Sequence, residues 1–401
     1  MSALVIIIGV VLVVSVLADI INTLVATTAS SSQWWLTRVL YRVTWSMTAS
    51  LGKHIKNERM RERFYARFAP VSVIAMLVSW VIQQVVGFGL IWWGTGGVSG
   101  LDGLVEAIYF SGVVYFTIGF GEVVPVETVP RFGSLIEAFS GVLTTALVIG
   151  YLPALYSAYS EREQKLLTLD DGSETRMTPT NLVLSRSPDG DPRELDDFFK
   201  EWEGWIAQVL ETHTTFPMLA LFRSQHDGQN WITALGLVTD AALHVELTEG
   251  GQGRSAYWAL RRSVRLLQFL TDGVDLTEYR QRAQQQSEDA TEQLRLLYDT
   301  LETHGFPMLA YDDAVTHALG IRLTYAAELE YLIERLQAPK GFWGHQIGHV
   351  HTTPPCFLSR TRNRDENDKR RPGGRLELDI GGDQNVVVAE ATRSEGRGPG
   401  R

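Results

Sequence analysis

A single cysteine, Cys356, stands among the 401 residues, so no disulfide can form within one chain. A lone cysteine is ordinarily a reduced thiol, and no nucleophile–base set accompanies this one, so an enzyme is not expected. The chain is acidic overall, with a formal net charge of −10 carried mostly by its later part. Phosphate binding needs clustered Lys and Arg, so a nucleic-acid partner is not expected. There is no glycine-rich GxGxxG turn followed by a strand and no Walker motif, which argues against a nucleotide-binding domain. Charge is also nearly missing from three long runs, Ala3 to Thr27, Pro70 to Trp93 and Phe132 to Tyr159, where Asp19 and Glu137 are the only acids.

Crossing a hydrocarbon layer of roughly 30 Å takes about 20 helical residues, and each run is long enough. The first has neither the basic start nor the small-residue cleavage site of a secretory signal and reads as a retained helix. Asp19 is expected near the inner face and Glu137 near the outer, each within reach of water. The loop between the first two runs holds Arg38, Arg42, Lys53, Lys56, Arg59, Arg61, Arg63 and Arg67 and is therefore expected inside. That sets the N-terminus outside and the long C-terminal part in the cytoplasm of a cell-membrane protein. Trp34, Trp35, Tyr41 and Trp45 interleave with Arg38 and Arg42. They fit either a helix lying in the inner interface or a plain connector.

Between the second and third runs, Gly94 to Gly100 is turn-like, and an apolar stretch from Asp102 to Phe116 follows. About 15 residues are too few to span and fit a re-entrant helix. Asp102 is placed to cap it, and Glu106 favours its first turn through the helix dipole. Then come Thr117, Ile118, Gly119, Phe120, Gly121 and Glu122.

This segment resembles the filter signature of the potassium-channel pore-loop family, usually written TVGYGD. The TIGFG form is most similar to some two-pore-domain channels, and the layout is similar to bacterial channels with one pore loop per chain. The resemblance covers about Pro70 to Tyr159. It implies an all-α membrane protein with a pore-loop potassium-channel fold, to which the first apolar run adds an extra N-terminal transmembrane helix and the helical periodicity after Arg193 adds an all-α cytoplasmic domain. It implies a homotetramer in membrane lipid, since one chain offers one loop and a ring of four is needed. Potassium ions would be the permeant ligand, held at Thr117, Ile118, Gly119 and Phe120 by backbone carbonyls and the threonine hydroxyl, with Gly121 closing the strand and Glu122 at the outer mouth. No cofactor is implied.

For the carbonyls to face one way, successive residues must alternate in handedness, and Gly119 and Gly121 take positive φ cheaply. Ile118 and Phe120 would pack outward. The short helix would aim its C-terminal carbonyl end at the axis and favour a cation. Departures from the family pattern are Phe116 in place of a second threonine, Phe120 without the tyrosine hydroxyl, and Glu122 in place of aspartate. The pore-helix acid of some bacterial members falls at Val113. These predict a filter held more by packing than by hydrogen bonds, and keep a non-selective monovalent cation channel open as an alternative. A membrane-anchored receptor or scaffold is the alternative from another class. No run carries a row of regularly spaced arginines, so voltage sensing of the usual kind is not expected.

Inner helices of this family bend at a glycine about twenty residues past the filter, which implies Gly141 as a hinge. Pro153, which cannot donate to the helix ladder, would shape the crossing below it. The other reading of the glycines is close helix packing.

The chain divides into an N-terminal membrane helix at 1–30, a basic linker at 31–69, a pore domain at 70–160, a connector at 161–192, a helical cytoplasmic domain at 193–357 and a largely disordered tail at 358–401. Thr178-Pro179 reads as a helix start. Leu195, Phe198, Phe199, Trp202 and Ile206, and later Leu294, Leu297 and Leu301, recur at helical spacing. Roughly six to eight helices are expected from Arg193 to Gln337. The domain contains a repeat: LETHTTFPMLALFRSQH from Leu210 and LETHGFPMLAYDDAVTH from Leu301. Each copy has a second histidine at matching spacing, so His213 pairs with His226 and His304 with His317. Glu211, His213, Glu302 and His304 are candidates for a shared metal site, and helix-end capping beside the Phe-Pro turn is the plainer role. His345, His349 and His351 near Cys356 form a looser cluster.

Overall fold

Asn57 caps the second long helix of the computed structural model, its side chain accepting from the Met60 amide at 3.2 Å. Helix α2 (Glu58–Thr95) runs from there straight through Pro70. Helix α1 (Ser2–Leu24) packs along it, with Gly9 and Gly87 at the crossing. A Cβ on Gly9 would stand 2.5 Å from the Gly87 carbonyl oxygen, so only glycine allows that approach. Helices α3 (Leu104–Tyr115) and α4 (Thr128–Leu166) complete the membrane part. Among the described residues, three helices are long and apolar enough to cross a membrane, within α1, α2 and α4.

The structure describes residues 2–24, 44–48, 50–52, 54–169, 177–224, 230–250, 254–288 and 290–338, all within one unit, residues 1–352. Trp34, Trp35, Tyr41, His226, the cluster His345, His349, His351 and Cys356, and residues 358–401 lie outside them. Of the interfacial aromatics, Trp45 is described; it is buried edge-on against Phe68 at 4.9 Å.

Two expectations at helix starts are corrected. The helix that carries the second span begins at Glu58, and the candidate span within it at Arg63, both ahead of Pro70, which costs the helix one hydrogen bond without ending it. The re-entrant helix is capped by Gly103, not Asp102, and with no side-chain bond. Its C-terminal end, near residue 115, falls where the sequence set it.

The segment between α2 and α4 is stapled at its base. Strand β1 (Val98–Ser99) pairs antiparallel with β2 (Val124–Pro125), Val98 opposite Pro125 and Ser99 opposite Val124. The Val126 and Glu127 amides both donate to the Gly97 carbonyl, at 3.0 and 3.1 Å. The entry to α3 and the exit from the loop are thereby held side by side.

Beyond α4 come α5 (Pro179–Arg186), α6 (Asp196–Thr215), α7 (Trp231–Glu246), α8 (Ser255–Leu270), α9 (Thr277–Glu288), α10 (Thr291–Thr303), α11 (Tyr311–Arg322) and α12 (Ala326–Arg335). Thr178 caps α5 as read from the sequence, accepting from the Asn181 amide at 3.1 Å. Helix α7 is buried along its whole length. The periodic residues Leu195, Phe198, Phe199, Trp202, Ile206, Leu294, Leu297 and Leu301 all lie in the core around it. Asp240 of α7 is held by Arg322 at 2.6 Å and by the Tyr325 hydroxyl, so its buried charge is paired.

Candidate functional site

The last turn of α3 sets the start of the exposed loop. The Thr117 amide donates to the Val114 carbonyl at 2.9 Å, and the Ile118 amide to Val113 at 2.8 Å. From there the backbone alternates. Thr117, Gly119 and Gly121 have φ of 56°, 69° and 92°, while Ile118 and Phe120 stay outside the positive region. Positive φ at Thr117 goes beyond the glycine rule applied to the sequence. A β-branched residue there is strained by about 1–2 kcal/mol and persists only where its surroundings impose it. Among the described residues, no backbone-to-backbone hydrogen bond takes up the carbonyls of Thr117 to Gly121. Phe116, Ile118 and Phe120 are each half or more exposed in a single chain. Unpaired backbone and bare aromatics at membrane depth are tolerated only inside an assembly or along a water-filled path.

One hydrogen bond reaches the end of this loop, and a chain of others ties α3 to α2 and α4 behind it. The Tyr109 hydroxyl of α3 donates to Glu122 Oε1 at 2.6 Å. Behind α3, Glu137 accepts from Trp92 Nε1 at 2.8 Å through Oε2 and from the Ser111 hydroxyl through Oε1. Ser140 donates to Gln84 Oε1 at 2.9 Å, and Gln84 Nε2 to Thr144 Oγ1 at 3.3 Å. Glu137 is fully buried, and Asp19, also buried, accepts from Trp80 Nε1 at 2.8 Å. The acids read from the sequence as water-exposed are therefore enclosed by partner helices, since a membrane carboxylate is tolerable once donors surround it.

Gly141 sits against the end of α3. A Cβ there would stand 2.2 Å from the Tyr115 carbonyl oxygen, so in this structure the glycine permits close packing. Gly150 has open space around it, and exposed Pro153 lies inside the continuous α4. Gly141→Ala is expected to push α3 away from α4 and to lower stability by about 1–3 kcal/mol. Melting curves check this, and wild-type melting would remove the close contact from the account.

At its C-terminal end α4 enters the helical domain. Arg162, fully buried, donates to the Leu219 carbonyl at 2.8 Å and the Phe222 carbonyl at 2.7 Å, and pairs with Glu163 at 2.9 Å. Its guanidinium lies 4.8 Å from the Trp231 ring centre. The short 3-10 helix Pro217–Leu221 carries the first Phe-Pro-Met-Leu-Ala copy onto the membrane helices. Phe216 and Phe222 pack with Val73, Tyr151 and Tyr159, and Met218 with Ile20, Met76 and Trp80. The second copy goes elsewhere. Met308 bridges Thr248, and the Leu309 amide donates to Leu247 at 2.9 Å.

No group of three or more potential metal ligands comes together among the described residues. Glu211, His213, Glu302 and His304 therefore do not build the shared site the repeat pointed to. Each histidine instead bonds the carbonyl one turn back, His213 Nδ1 to Val209 at 2.8 Å and His304 Nδ1 to Thr300 at 2.7 Å. His213 Nε2 faces Arg162 Nη1 at 3.3 Å, where a second cation is unwelcome. Arginine can only donate, so Nε2 accepts and Nδ1 carries the proton. Burial and the neighbouring Arg162 push the His213 pKa down to about 3. A depressed value means that stability is present above the unfolded pKa near 6.5 and is lost as pH falls towards 3. His213→Asn is expected to flatten the pH dependence of thermal stability below pH 6.5 by about 1.4 kcal/mol per pH unit, as melting curves would show. An unchanged slope would mean that His213 does not titrate with unfolding.

Residues that the sequence did not single out for the site are Trp92, Tyr109, Ser111 and Arg162. Their one sequence signal is a polar group inside an apolar or amphipathic helix, whose partner only the fold reveals.

Residues 68–157 match a family model described as "Ion channel". The chain is similar to the uncharacterized membrane protein YdjJ of Bacillus subtilis (strain 168), 26% identical over 140 residues. That match covers 34% of this chain and 39% of the length of the relative. No solved structure matches.

Proposed function

We propose, on the premise that residues 68–157 are an ion channel domain, that four copies of this chain assemble into a potassium-selective channel. The observation that carries this reading is the alternation of φ at Thr117, Gly119 and Gly121 in a strand with unpaired carbonyls. Around a fourfold axis those carbonyls and the Thr117 hydroxyl replace the water shell of a potassium ion. The C-terminal end of α3 adds negative potential on the axis. Phe116, Ile118 and Phe120 are then covered by neighbouring copies. Conduction is passive.

The basic residues from Arg38 to Arg67, which run into the first turns of α2, support an N-terminus outside and a helical domain in the cytoplasm. Helix α4 passes without a break from the pore into that domain, where Arg162 grips the segment packed on α1, α2 and α4. A change in the helical domain thus bears on the pore-lining helix, which makes this domain the regulator of opening.

Full-chain protein in potassium-loaded liposomes tests the reading. Potassium efflux that barium blocks is the expected result. Efflux of potassium and sodium at equal rates favours the non-selective cation channel, and no efflux favours a membrane-anchored receptor or scaffold.

A further inference from the structure

Glu137 is an acid in the middle of an apolar helix and has no exposed surface. A carboxylate in such a place costs several kcal/mol unless donors surround it. Its two oxygens take one donor each, from two different helices: Trp92 Nε1 of α2 at 2.8 Å and the Ser111 hydroxyl of α3. Each partner is itself fixed. Trp92 lies between Phe88 and Phe110, both ring centres at 6.3 Å, and a Cβ on Gly133 would meet its ring at 2.3 Å. Ser111 is fully buried one turn ahead of Tyr115, whose carbonyl touches Gly141.

The consequence for the filter follows from the hydrogen bonds that start it. Thr117 and Ile118 hang from the carbonyls of Val114 and Val113, in the turn directly after Ser111. A rotation or axial slip of α3 therefore carries the strained Thr117 with it. Ser111 is the tie that fixes that rotation, and Glu137 is its acceptor. We propose that Glu137 is a positioning residue for ion selection: it sets the depth and rotation of the pore helix, and through it the ring of Thr117 carbonyls. Val113 holds no acid, so the tie from behind the filter comes from the inner helix.

This rests on the potassium reading above, and the test separates the two. Full-chain wild type, Glu137→Leu, Glu137→Gln, Ser111→Ala and the double variant Ser111→Ala/Glu137→Leu are reconstituted and checked for tetramer by mass. Bi-ionic reversal potentials then give the sodium-to-potassium permeability ratio. Glu137→Leu is expected to raise that ratio at least tenfold with the tetramer intact. Ser111→Ala moves it the same way by less, and the double variant matches Glu137→Leu alone. Glu137→Gln falls nearest wild type, because an amide can accept from Trp92 while donating to Ser111 Oγ. Wild-type ratios in tetrameric Glu137→Leu and Ser111→Ala overturn the assignment. If Glu137→Leu does not assemble, Ser111→Ala and Glu137→Gln decide: a raised ratio in Ser111→Ala supports it, and wild-type ratios in both overturn it. A wild type without potassium preference defeats the potassium reading instead. Unitary conductance in the same variants then reports on the positioning, a change supporting it and no change overturning it.

Discussion

Replacing Gly119 by alanine is expected to abolish potassium current while leaving assembly intact. The glycine sits at φ of 69°, and nothing within 4 Å of an added Cβ opposes it inside one chain. The cost is therefore conformational: an L-residue pays about 1–2 kcal/mol to hold that backbone. Four copies share the ring, so the conducting arrangement loses about 4–8 kcal/mol. At 1.4 kcal/mol per factor of ten, this is at least roughly a thousandfold fall in conducting channels. Thr117 already carries strain of the same kind and leaves little reserve to absorb more. Macroscopic current per tetramer, normalised by mass, measures the effect. A Gly119→Ala channel with wild-type current would mean that the alternation is not what conducts.

Arg162→Leu is expected to have the second largest effect, and at a distance from the filter. The substitution leaves the Leu219 and Phe222 carbonyls and the Glu163 carboxylate buried without their donor. Breaking a buried pair from one side costs about 3–5 kcal/mol. For a domain of this size that is a fall in melting temperature of roughly 6–20 °C. Arg162→Lys keeps one charge but cannot reach several acceptors at once, and is expected to fall between. Both variants are also expected to loosen α4 from the Phe216–Phe222 segment and so change open probability without changing ion preference. Melting curves together with single-channel records check the pair of effects. Unaltered melting in Arg162→Leu would remove this junction as a structural tie.

Local chemistry made the pore legible in the sequence, and tertiary partners hid the rest. Gly119 and Gly121 stand out because positive φ is a property of single residues. The length of α3 and the apolar runs are read from chain counting. By contrast, nothing near Glu137 in sequence reveals that Trp92 and Ser111 will enclose it, since both lie on other helices. The same holds for Arg162, whose acceptors at Leu219 and Phe222 are distant in sequence. The repeat shows the opposite failure. Its two copies look alike, yet one docks on membrane helices and the other on Thr248 within the helical core, so likeness in sequence did not make a shared site. Thr117 is a third case: its strained backbone is imposed by the hydrogen bonds at the end of α3, which residue preference alone opposes.

The bi-ionic reversal potential of the reconstituted wild-type tetramer bears most directly on the central claim that peptide oxygens of four converging loops replace the water of a potassium ion. With potassium on one side and sodium on the other, the account predicts a potential far from zero, of the sign set by potassium flow. A potential at zero in an otherwise conducting tetramer would contradict it.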